Sequence, residues 1–377
     1  MRSTLPATRV RQRLAPRFAL TLLAAVAVPL PNAVLGCPFC PTALAPTLGE
    51  QLSLADVAAV VALKSSTPAA GERAGQSVFE IIRLIKSDDK SPRPGQLVTI
   101  DIARETPAGS TELWFGSTRG KSVDWTMRVP AGEPVIRYLV DAPARETPMA
   151  DRLAFYVRHL EHAEDSIADD AFREFAAAKF EDVKSAANSF PRDKVREWLS
   201  NEKTLLSRRG LYGLMLGLCG SAEDAGFLEQ IIAIETDEIR FGIDGILGGY
   251  LYMTGEPGMR FVDEHKINDP KTPFAETYAA MQALRFLWTY GSERVPKPRI
   301  LESMRRLIDR PALCDIVIND LGRWKDWTLQ DRLMELYGTK DYDLPSIKRA
   351  IIRYMIASTK DVASEDAGDP PAHVVTG

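Results

Sequence analysis

The sequence predicts an α+β fold in two domains: a small antiparallel β-barrel or sandwich over residues 37–142, then an α-solenoid over 151–358. Three observations predict it. Helix-ending turns recur at Cys219-Gly220-Ser221, Thr254-Gly255-Glu256 and Tyr290-Gly291-Ser292, with 35 and 36 residues between successive glycines. A period in that range, with two amphipathic helices per unit, is the signature of stacked helix pairs. Upstream, the apolar period drops to two between residues 50 and 142, which puts alternate side chains on opposite faces of a strand. Ahead of both stands a basic and then apolar leader, residues 1–36.

The leader is the simplest element to justify. Arg2, Arg9, Arg11, Arg13 and Arg17 form a basic opening without an acid, and Phe18 to Leu30 is an apolar run of 13 residues. Val34-Leu35-Gly36 then offers short residues ahead of Cys37, the pattern of a secretory signal. The run is too short to cross a bilayer. Export to the periplasm, cell envelope or exterior is expected, with an uncleaved anchor as the alternative. Val34-Leu35-Gly36-Cys37 is also similar to a bacterial lipobox. That likeness implies lipidation of Cys37 and a tether of buried acyl chains. Membrane contact is expected only through such a lipid or a retained leader.

Cys37-Pro38-Phe39-Cys40 follows at the expected mature N-terminus. A thioredoxin-type pair needs its first cysteine where a strand meets a helix, and no strand precedes this one. Haem attachment wants a histidine after the second cysteine, where Pro41 stands. A four-cysteine zinc site would need Cys219 and Cys314, which lie 95 residues apart in apolar helical runs. A local disulfide or structural thiol pair in an oxidising compartment is the expectation. Thiol–disulfide redox or metal binding through Cys37 and Cys40 is the alternative. Cys219 and Cys314 read as buried core thiols.

Next come the strands. Asp56 to Leu63 reads as a buried strand, followed by Ser77 to Ile85 and Gln96 to Ile102. Glu112 to Phe115, Val123 to Val129 and Val135 to Val140 are shorter candidates. Pro94-Gly95, Gly116, Gly120 and Ala131-Gly132 are read as turns between them. Trp114 and Trp125 are expected in the core or at a barrel rim. Near-terminal cysteines followed by the segments 55–61, 78–86 and 94–100 resemble netrin-like or metalloprotease-inhibitor-type OB-barrels. The resemblance implies an inhibitory role for a free N-terminus at Cys37, yet no further cysteine stands before Cys219.

Residues 141–149 read as a polar linker, and helices follow it. Tyr278, Met281, Leu284 and Trp288 fall at three- and four-residue steps before Gly291, and Ile300, Met304, Leu307 and Ile308 after it. Ser221 and Thr328, each three residues before an aspartate, are helix N-cap candidates. Pro191, Pro273 and Pro345 open helices, and the turn glycines close them through left-handed backbone. Glu238-Ile239-Arg240, residues 346–350 and residues 165–171 resemble the second-helix opening of HEAT-type repeats, with Asp169 departing from the basic position. That resemblance makes the solenoid HEAT-like and implies a binding surface without a chemistry. The whole chain is similar to exported bacterial proteins that begin Cys-Pro-Phe-Cys and end in helical repeats. Residues 359–377 are expected to be a disordered tail.

Composition narrows the function. Net charge is −4, and from Ser207 to Met355 20 Lys and Arg face 22 Asp and Glu, against the basic excess that nucleic-acid binding needs. Nucleic acid is therefore not expected as a partner. No His-Glu-x-x-His, Gly-x-Ser-x-Gly or phosphate-cradling glycine loop occurs. No catalytic residue, cofactor or metal site is expected. His159 and His162 read as solvated residues of one helix, and the acids as solvated helix faces. Residues 321–327 put Arg323, Trp324 and Trp327 at an inter-helix corner, a candidate protein interface because Trp and Arg anchor interfaces. The alternative is that both rings pack between repeats. The expected work is that of a non-enzymatic exported scaffold that binds a protein partner.

Overall fold

In a computed structural model of the chain, the described residues are 36–40 and 45–361, apart from 72, 90 and 121. Residues 1–35 of the leader and 362–377 of the expected tail lie outside them.

The apolar run that begins at Val57 forms β1 (Val57–Thr67), the middle strand of a five-stranded antiparallel sheet. Beside it lie β2 (Gln76–Lys86) and β4 (Thr111–Arg119); β3 (Leu97–Ile100) and β5 (Ser122–Pro130) are the edges, in the order β3-β2-β1-β4-β5. The edges do not pair with each other, so the sheet is open and not a closed barrel. β3 is only four residues long, and after β5 the chain enters a helix instead of returning to it. Gly116, expected in a turn, lies inside β4 at a register shift against β5.

Successive side chains point to opposite faces, and β1 is buried on both. Val57, Ala59, Val61 and Leu63 join Phe79, Ile81, Trp114 and Trp125 on one face. Ala58 and Val60, paired in register with Phe115 and Leu113, face the helices and share their core. Burying each valine or leucine side chain contributes about 1.5–3 kcal/mol and each alanine methyl about 0.8, which is why the strand reads as an unbroken apolar run. Trp114 is a core residue, with its ring centroid 4.7 Å from Phe79 and its indole donating to Glu112 Oε2 at 2.6 Å.

Residues 135–140, expected as a strand, form α2 (Glu133–Asp141). Val135, Ile136 and Leu139 fall on one helical face and are buried. Pro134 sits in the first turn, where its missing N–H is harmless. A helix the strand reading missed, α1 (Leu48–Leu54), precedes the sheet. Its signal is the capping box at Thr47 and Glu50: Glu50 N donates to Thr47 Oγ1 and Thr47 N to Glu50 Oε2, both at 3.1 Å.

The remaining helices are α3 (Met149–Tyr156), α4 (Asp165–Ala177), α5 (Phe180–Ser185) and α6 (Arg192–Ser200), followed by α7 (Arg209–Cys219) and α8 (Ala222–Ala233). Then come α9 (Ile243–Thr254), α10 (Glu256–Val262), α11 (Phe274–Tyr290) and α12 (Lys297–Arg306). The last are α13 (Pro311–Arg323), α14 (Gln330–Leu336) and α15 (Pro345–Lys360). α7 and α9 meet backbone to backbone: a Cβ built at Gly217 would lie 2.3 Å from the Gly249 carbonyl oxygen. α11 and α13 meet through long side chains instead, Arg285 to Asp320 and Trp288 to Trp324. The apolar core runs from Cys37 to Tyr354 and includes residues on both sides of the 142–151 stretch.

The helix-end expectations divide. Ser221 caps α8 and shares a capping box with Asp224. Thr328 does not cap α14, which starts after Leu329; its hydroxyl donates to Asp326 Oδ1 at 2.8 Å. Of the three turn glycines only Gly255 has positive φ, 66°. Gly220 is needed for space, since a Cβ there would sit 2.5 Å from the Leu216 carbonyl oxygen and 2.7 Å from Met253 Cε.

Candidate functional site

The cysteine turn is docked, not free. Cys37 and Cys40 lie at disulfide distance with their Cα atoms 5.3 Å apart, and Cys37 N donates to Ala176 O of α4 at 3.0 Å. Phe39, 7% exposed, packs 4.9 Å from Phe286 of α11. Cys37 is buried and Cys40 half-buried. Cys40 shares a cleft of about 520 Å³ with Leu206, Phe241 and Asp244. Phe241 is 60% exposed although large and apolar. Burial pushes the Asp244 carboxyl above the usual carboxylate range, against the hydrogen bond it accepts from Gly245 N–H.

The second predicted site is the α13 corner. Trp324 stacks on Trp288 of α11, centroids 4.2 Å apart and planes at 12°, and is half-buried. The Lys297 ammonium lies 4.7 Å from the Trp288 ring centroid. Trp327 is buried, edge-on to Tyr354 at 5.0 Å, and donates to Asp361 Oδ2 at 2.7 Å. Arg323 is exposed and paired with Asp320. Trp324 and Arg323 thus reach solvent at this corner, while Trp327 packs inside it.

Sequence reasoning missed the charged network where α1, α2 and α4 meet. Asp170 accepts from Leu48 N at 2.7 Å and from the Tyr138 hydroxyl at 2.9 Å. Glu174 accepts from Thr47 Oγ1 and from Arg152 Nη2, each at 2.6 Å. Asp170, Glu174 and Arg152 are all buried. Burial raises both carboxyls above their ordinary range, opposed at Asp170 by Leu48 N–H and Tyr138, and at Glu174 by Thr47 and Arg152. Tyr156 is pushed up to about 12 by burial and by Glu174. The one signal that pointed here was the Thr47–Glu50 capping box.

Other acids expected on solvated faces are also buried and paired. Glu276 takes Arg240 Nε and Lys266 Nζ, both at 2.8 Å. Asp320 takes Arg285 at 2.6 Å, Asp263 takes Arg299 at 2.7 Å and Asp224 takes Arg192 at 2.6 Å. A lone buried carboxylate is far too costly, so each carries its cation with it. The sequence separations of the first three arginine pairs are 36, 35 and 36.

The histidines do not share one helix. α3 gives way to a single tighter turn at 157–159, and His162 lies beyond it. His159 is half-buried, its ring 4.6 Å from Phe155 and 5.0 Å from Tyr138. Burial lowers its pKa. Burial likewise raises the Cys219 thiol to about 11 and the fully buried Cys314 to about 12, so both are poor thiolates. Among the described residues no group of three or more His, Cys, Asp or Glu is placed to hold a metal ion. No protein-family model, curated protein or solved structure matches the chain.

Proposed function

We propose that the chain is a non-enzymatic scaffold whose helices form a HEAT-like solenoid that binds a protein partner. The observation that carries the reading is the ladder of Arg–carboxylate pairs Arg240–Glu276, Arg285–Asp320 and Arg299–Asp263, each joining residues 35 or 36 apart. Ties between corresponding places of successive helix pairs are what a one-dimensional stack needs to hold its curvature. The partner face is assigned to its C-terminal end. There Met334, Tyr337, Ile352 and Ile356 are exposed and line an apolar groove of about 290 Å³ with Met355. A photo-crosslinking side chain at Ile352 in the native host should capture one reproducible protein, and the same probe at Arg353 should not. Equal labelling at both positions removes the reading.

Export belongs to the same proposal, and its support is the leader. Lipidation would occupy the Cys37 sulfur in a thioether, so an acylated Cys37 excludes the bond to Cys40. Intact mass of the mature chain should show cleavage before Cys37, no acyl mass, and two thiols fewer than four before reduction. An acyl mass on Cys37 would replace the soluble form with a tethered one.

A second reading rests on the cleft that Cys40 shares with Asp244, Leu206 and Phe241. A substrate thiolate would attack the Cys37–Cys40 bond to form a mixed disulfide, and the substrate's second thiolate would displace it. The substrate leaves oxidised and Cys37 and Cys40 remain as two thiols, with Asp244, in the cleft that Cys40 lines, to carry a proton. Oxidised protein mixed with a reduced dithiol peptide should then yield one peptide disulfide per two new protein thiols. Failure of that exchange leaves the disulfide a structural staple.

A further inference from the structure

A cleft of about 570 Å³ lies where α1, β2 and the α2–α3 connection meet. That size suits a small molecule. Two kinds of side chain line it. Leu52, Leu84, Ile85, Leu139 and Val140 give it an apolar wall. Arg83, Lys86, Arg145 and Arg152 give it four cations, against a single lining carboxylate, Glu146.

Not all of those cations are spent within the fold. Arg145 is taken by Glu50 at 2.8 Å. Lys86 donates only to neutral carbonyls, Leu52 O at 3.0 Å and Ser53 O at 2.9 Å. Arg83 is exposed, and among the described residues no ion pair or hydrogen bond holds its guanidinium. Arg152 is 3% exposed and tied to Glu174 by Nη2, yet its buried Nε has no acceptor. A buried donor without a partner is costly in a finished fold, and this one belongs to a residue that lines the cleft. That Nε is closed off from the cleft, so the charge an anionic oxygen in the cleft would neutralise is the excess of Arg83 and Lys86 over Glu146.

We propose that this cleft binds an organic carboxylate with an apolar body, its head on Arg83 and Lys86 and its chain along Leu139 and Val140. The site is separate from the helical face assigned to a protein partner, and neither reading depends on the other. The surroundings argue for an amphipathic ligand: a bare inorganic anion would leave the apolar wall uncovered, and an uncharged lipid would leave the cations unmatched.

Octanoate is the probe, titrated into the full chain in low-salt buffer while thermal unfolding is followed. Saturable stabilisation is expected, weakened by added salt, and absent with 1-octanol. Arg83→Glu, an exposed change that keeps the fold by circular dichroism, should weaken octanoate binding about tenfold or more. Val140→Trp should block the cleft and abolish it. The proposal is overturned if octanoate gives no saturable shift in the millimolar range. Unchanged binding by both variants, or equal protection by inorganic phosphate or by 1-octanol, also overturns it.

Discussion

Phe39 stands directly over the backbone of Gly248: a Cβ built on that glycine would lie 2.3 Å from Phe39 Cζ. α9 therefore offers the cysteine turn a floor that only glycine can provide, and Phe286 closes the side of the socket. Gly248→Ala should unseat the ring by overpacking, at a cost of about 1–3 kcal/mol. Phe39→Ala should cost more, about 3 kcal/mol or above, by leaving a cavity. Urea unfolding gives both values. Reduction of Cys37–Cys40 by mild thiol should become faster in each variant; an unchanged rate would mean the socket does not shield the disulfide.

Glu276, in the first turn of α11, ties down the α8–α9 connection through Arg240 and the turn after α10 through Lys266. Glu276→Ala leaves Lys266, 4% exposed, without its counter-charge. A loss of about 3–5 kcal/mol is expected, read as a lower urea midpoint. Burial acts to raise this carboxyl's pKa, but Arg240 and Lys266 overcome it and hold the group below its ordinary range. A depressed folded pKa gives stability that is full above the unfolded value and lost as pH falls through the folded one. Glu276→Gln should therefore show a shallower acid-side loss than the parent.

Trp288 and Trp324 bridge α11 and α13, whose backbones do not come as close as those of α7 and α9. A double-mutant cycle with alanine at both positions should return a coupling of about 0.5–1.5 kcal/mol. Trp324→Ala alone should leave helicity by circular dichroism intact. A coupling near zero would mean that the stack lends nothing to the joint and would free Trp324 for a partner.

What the sequence disclosed follows from the range of the forces involved. Residues 57–63 declare a strand because burial on both faces leaves no polar position. Ser221 and Asp224 declare a cap because the partners are three residues apart. Residues 135–140 mislead because Val135, Ile136, Tyr138, Leu139 and Val140 are apolar on nearly every face, so period cannot be read from so short a run. The buried acids mislead for another reason. Asp320 looks like any helix-surface acid until Arg285, 35 residues earlier, is known to lie against it. The 35- and 36-residue spacing of the turn glycines stands in the sequence, but which acid meets which arginine at a like separation does not. The α1–β2 cleft was invisible, since Arg83 and Arg152 are brought together only by the fold.

Asp170 carries the opposite pH signature to Glu276. It accepts from Leu48 N and from Tyr138, and burial holds its carboxyl above the ordinary range despite both bonds. For a raised folded pKa the associated stability is present below the unfolded value and declines as pH rises through the folded one. Asp170→Asn keeps an acceptor for Leu48 N–H and removes the buried charge, so it should be no less stable than the parent at neutral pH. Asp170→Ala strands Leu48 N–H and the Tyr138 hydroxyl and should cost about 2 kcal/mol or more. Urea midpoints across pH 4–8 separate the two variants, because only the parent should lose stability as this group ionises. If Asn and Ala prove equally damaging, the charge itself holds α1 in place. The first turn of α1, with Glu174 and its partner Thr47, would then depend on an anion and not on hydrogen bonds alone.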